Sequence, residues 1–175
     1  MFLTRALRTR PILLPKRAFP TPSTATMSTA HPTPIPIALI GLHTEIGGPV
    51  AEGLRPEYDV TRFIQSYAAA TTDLPPLLRG EVPPNPATNT VGSGAARPVR
   101  AVLFGRGFTQ QQAEALRAAH GHLAPSVLWV AGSAARGPPE GSGPPADAHK
   151  VVVPVFRRIL EEELGEGKEG KLMLY

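Results

Sequence analysis

The stretch "IPIALIGLHTEIGGPVAEGL", Ile35 to Leu54, decides the fold. Its first seven residues form an apolar run closing on Gly41, the pattern of a strand buried on both faces. Beyond a short turn, Ile46, Val50 and Leu54 recur every four residues and so share one face of a helix. The glycines weaken that helix in isolation, so packing has to support it. A strand that runs through a glycine turn into a helix is the first half of a parallel crossover unit.

Outward from this unit the alternation continues. "YDVTRFIQSY" is rich in β-branched and aromatic residues and reads as a second strand, with Val60 and Ile64 apolar. Residues 68–98, dense in Pro, Gly, Thr and Ala, read as a flexible loop with a short turn around Leu74–Leu78. "VRAVLFG" is a third strand. "TQQQAEALRAAHG" is a helix with Thr109 at its N-cap and Gly121 at its stop. "SVLWVAG" is a fourth strand, residues 133–149 a second flexible loop, and a last helix starts near Val152 or Pro154 and stops at Gly165. The order β-α-β-loop-β-α-β-α predicts an α/β domain over residues 34–175, a three-layer sandwich around a four-stranded, mostly parallel sheet.

Charge separates this domain from what precedes it. The chain carries 18 Lys and Arg against 14 Asp and Glu. Arg5, Arg8, Arg10, Lys16 and Arg17 all precede the first acidic residue, Glu45; without those five, 13 basic residues face 14 acidic ones, a net of −1. A nearly neutral body lacks the clustered basic face that nucleic-acid binding requires. Residues 1–33, arginine-rich, Ser/Thr-rich and free of acid, have the composition of a disordered mitochondrial transit peptide, which places the mature protein in the matrix; translation from Met27 would leave it cytoplasmic. No run approaches the ~20 apolar residues of a membrane span. The absence of cysteine excludes disulfides, thiolate catalysis and cysteine metal sites.

In an open parallel sheet, ligands bind beyond the carboxyl ends of the strands. Those ends are small here: Gly41, then Gly105 and Gly107 around Arg106, then Gly132 before Ser133. Small residues let backbone N–H groups reach an anion, and a helix N-terminus adds positive potential. Arg106 is the best candidate for a bidentate anion contact. His43 in the turn is a further donor, and Ser133 and Arg136 follow the fourth strand.

Gly41, Thr44 and Gly47, followed by Gly48, hold the spacing G-x-x-G-x-x-G with threonine in the middle. "GLHTEIG" resembles the glycine turn of extended short-chain dehydrogenases and related NAD(P)-binding Rossmann proteins, over about twenty residues. The resemblance implies a Rossmann-like fold with NAD or NADP at this turn, and Gly41, His43, Thr44, Gly47, Gly48, Arg106 and Ser133 as the binding set. Two departures qualify it. The second strand ends "FIQSY", so Gln65 or Ser66 stands where an acid normally meets the ribose hydroxyls. The tyrosine–lysine pair of these dehydrogenases is missing as well, since Tyr58 is followed at the relevant spacing by Arg62 and Tyr67 by Thr71.

No catalytic residue and no metal ligand set is therefore assigned. His120 and His122 lie at a helix end, where an imidazolium suits the dipole, with no third ligand nearby. The expected function is a small domain binding a nucleotide or other anionic ligand at the glycine turn without dehydrogenase catalysis. A non-enzymatic protein-interaction domain is the alternative, and an NAD(P)-dependent oxidoreductase a third reading.

Overall fold

In the computed structural model, described over residues 33–85, 89–133, 147–164 and 170–175, the opening stretch forms β1, Ile35–Ile40, and α1, Thr44–Leu54. The elements that follow are β2 (Tyr58–Ile64), α2 (Tyr67–Arg79), β3 (Ala101–Phe104), α3 (Gln110–His120), β4 (Leu128–Ala131), α4 (Ala148–Glu163) and β5 (Leu172–Leu174). The strands lie in the order β2-β1-β3-β4-β5 and every neighbouring pair is parallel. The expected α/β sandwich is present, with five strands rather than four.

Strand periodicity divides the core in two. Ile37 and Leu39 of β1, Leu103 of β3 and Val130 of β4 pack against α1 and α4. Ala38 and Ile40, with Phe104 and Trp129, pack against α2 and α3. A strand flanked by helices on both faces must be apolar at every position, which is why the continuous runs were legible.

In β2 this alternation slips. Its register against β1 shifts between Ile37 and Ala38, which pair with Val60 and Arg62, so Thr61 is an extra residue. The Thr61 hydroxyl donates to the Ile37 carbonyl at 3.1 Å. A bulge of this kind re-aims the side chains beyond it. Val60 and Phe63 thereby both face α1, while Arg62 turns to the other layer and meets Asp73 of α2 at 2.6 Å.

Three sequence expectations are corrected. The loop assigned to residues 68–98 contains α2, capped by Ser66, whose hydroxyl accepts from the Ala69 amide. Its buried Ala70, Leu74, Leu77 and Leu78 repeat at helical spacing, and this packing outweighs the bonds lost at Pro75 and Pro76. Further on, Asn89–Gly94 is stitched to the free edge of β2: Ser93 and Gly94 donate to the Val60 and Thr61 carbonyls, and the Asn89 amide bonds Phe63 and Thr61. The last helix begins at Ala148, with Pro154 inside it, and β5 was missed because three residues carry too little pattern. The leader at 1–32 and most of the second loop, 134–146, lie outside the described residues. Among the described residues no helix is long and apolar enough to cross a membrane.

Candidate functional site

The 2-1-3-4-5 strand order reverses direction between β1 and β3, and a crevice opens outside the carboxyl ends of the strands at such a switch point. A cavity of about 320 Å³ lies there. Gly41, Leu42 and His43 after β1, Gly105 to Gly107 after β3, and the first turns of α1 and α4 form its walls. Both helices follow strands of the same parallel sheet, so both bring their N-termini to this rim.

Of the expected binding set, Gly41, His43, Gly47 and Arg106 line the cavity, and Thr44, Gly48 and Ser133 do not. The amides of Gly41, Gly47 and Gly105 are not offered to a ligand. Gly41 donates to Ile64 at 2.9 Å, Gly105 to Ile40 at 2.7 Å and Gly47 to His43 at 2.9 Å, while the Ser133 amide is taken by the Tyr175 carbonyl at 2.9 Å. The expectation that the strand tips present free N–H groups is corrected at Gly41 and Gly105, whose amides parallel pairing consumes.

The glycines instead make room for side chains. A Cβ on Gly47 would lie 2.6 Å from two atoms of the Phe63 ring, and one on Gly41 would lie 3.2 Å from it. A Cβ on Gly107 would meet Leu42 at 2.6 Å. Phe63, aimed inward by the bulge, forms part of the cavity wall together with Ile46 and Val50. Across from them stand Val151, Val152 and Phe156 of α4. The binding set read from the sequence omitted this apolar lining because it comes from residues scattered over β2, α1 and α4.

The polar groups at the wall are few. His43 occupies the N-cap of α1 but its side chain caps nothing; its Nδ1 lies 3.2 Å from Glu45 in an exposed pair. Arg106 lies over the Tyr175 ring, 5.9 Å from its centroid. The Tyr175 hydroxyl donates to the Phe104 carbonyl at 3.0 Å, and its ring meets Phe156 edge-on at 5.1 Å. Burial pushes the Tyr175 phenol up to about 12, against the opposing charge and hydrogen bond of Arg106. A phenol so placed stays protonated at neutral pH and serves as wall rather than as acid or base.

Thr44 and Gln65 stand together outside the cavity. The Gln65 amide donates to the Thr44 hydroxyl at 2.9 Å. The sequence puts Thr44 at the middle-glycine position of the Rossmann pattern and Gln65 or Ser66 at the acid position; Thr44 and Gln65 bond to each other, and Ser66 caps α2. Among the described residues no group of three His, Asp or Glu converges as a metal site.

No protein-family model and no solved structure matches the chain. A protein of Aspergillus oryzae, Kojic acid related protein 6, is similar to it, 36% identical over 100 residues. The match covers 57% of this chain and 59% of that protein, so the chain spans well under two thirds of the relative's length.

Proposed function

We propose that this protein is a Rossmann-like binding module that takes a small anionic ligand, a nucleotide being one candidate, in the crevice beside the Gly41–Gly48 turn. One observation carries the reading: the cavity lies at the β1/β3 switch point, with Arg106 and the uncapped start of α1 on its wall. A helix N-terminus and a guanidinium both favour negative charge there. No reaction is assigned.

A thermal-shift panel tests it, with NAD, NADP, FAD, ATP, AMP and inorganic phosphate, and with kojic acid added because of the relative's name. A ligand at 100 times its Kd adds about 2.7 kcal/mol to folding stability, several degrees in Tm for a domain of this size. The shift should shrink in Arg106→Gln. A protein partner is the second reading, favoured by Leu42 and Val151 standing exposed at the cavity mouth. The leader, read as mitochondrial targeting, would place the binding in the matrix; sequencing the mature N-terminus from isolated mitochondria tests that.

A further inference from the structure

The cavity at the switch point departs from a dinucleotide site in three ways. Its volume of about 320 Å³ is at the lower end of ordinary ligand sites, which run from about 300 to 1,000 Å³. The place where a pyrophosphate would approach the α1 backbone carries the Thr44 side chain, bonded to Gln65, one of the two residues expected where the ribose acid would be. The glycines on its wall are filled against by Phe63 and Leu42. The exposed Thr44–Gln65 pair lies outside the cavity, whose far wall is α4.

The cavity is apolar on both sides. Phe63 and Val50 form one wall and Val152 and Phe156 the other, while Leu42 and Val151, 47% and 67% exposed, stand at the mouth. Apolar side chains left in water around a concavity mark a surface meant to be covered. Charge at that mouth includes a guanidinium and a helix start. Arg106 is on the wall and the α1 terminus, without a side-chain cap, adds positive potential, while Glu45 stands exposed beside His43 at 3.2 Å.

Resting on the reading of this cavity as a binding site, we infer that its ligand is a compact carboxylate with an apolar body. The chain or ring lies between α1 and α4, and the carboxylate sits at the mouth by Arg106. The cavity's volume is small for a dinucleotide, and a bare phosphate would leave the apolar walls unpaired.

Isothermal titration of the full-length protein with octanoate, octanol, acetate, AMP and NAD tests it. Octanoate should bind about tenfold or more tightly than octanol and acetate, because a hydrogen bond to a charged group and the apolar burial each contribute that much. Arg106→Gln should weaken octanoate by about tenfold and leave octanol unchanged. Val151→Asp, at an exposed position where folding is not at stake, should weaken octanoate by a similar factor through repulsion and lost contact. Binding of AMP or NAD in preference to octanoate would overturn the carboxylate inference and leave the anion-binding reading standing. Equal affinity for octanol and octanoate would overturn the part played by Arg106, and the inference with it. Octanoate binding unchanged in Val151→Asp would put the ligand elsewhere, and binding by none of the probes would overturn both readings.

Discussion

Two adjacent glycines in α1 do opposite things. Gly47 is buried against the Phe63 ring, where an added Cβ would lie 2.6 Å from two ring atoms, whereas nothing lies within 4 Å of a Cβ added to Gly48. Gly47→Ala should therefore destabilise by about 1–3 kcal/mol through overpacking. Gly48→Ala should stabilise by roughly 0.5–1 kcal/mol, since alanine is the better helix former. Urea unfolding of the two variants checks the opposed signs. His120 supplies a pH test at the same scale. Its Nε2 is buried with no hydrogen-bond partner among the described residues. Burial, then the charge of His122, lowers its pKa, against the expectation that the helix dipole would favour the imidazolium. With the folded value below the unfolded one, the stabilisation is fully present above about pH 6.5 and is lost as pH falls through the folded value. Unfolding free energy should decline as pH falls below about 6.5, and less steeply in His120→Gln.

Elements differ in how openly the sequence declares them. The Thr109 hydroxyl accepts from the Gln112 amide, and the Gln112 side chain accepts from the Thr109 amide, a reciprocal capping box. Thr109→Ala should cost about 1 kcal/mol, read as a lower urea midpoint with unchanged slope. This start was legible because the cap is local chemistry. The helix over 67–79 was not, because its two prolines are breakers by local rules and its support is tertiary: Leu74, Leu77 and Leu78 are almost wholly buried. Its end is again local, with Gly80 at φ 81° in the left-handed region that glycine adopts without strain.

At the scale of the whole molecule, a charge pair buried between the sheet and α2 joins the two layers. Arg62 of β2 donates from Nε and Nη2 to Asp73 of α2, at 3.0 and 2.6 Å, and from Nη2 to the Asn85 carbonyl at 2.7 Å. Both side chains are about 3% exposed. Asp73→Ala should destabilise by about 3–5 kcal/mol, because it strands a buried guanidinium. Adding Arg62→Met should recover much of that loss, and a double-mutant cycle by denaturant unfolding measures the coupling.

The sequence by itself determined the layered α/β architecture, because strands enclosed between helices must be apolar throughout and crossovers make them parallel. Of the residues it offered as a binding set, Gly41, His43, Gly47 and Arg106 line one crevice and Thr44, Gly48 and Ser133 do not. The character of that crevice was decided in three dimensions. A single extra residue at Thr61 turns Phe63 inward, and sheet pairing consumes the Gly41 and Gly105 amides. Residues a hundred positions apart then meet as an apolar wall. Periodicity reports which face of an element is buried; what that face meets depends on register and packing between elements far apart in the chain.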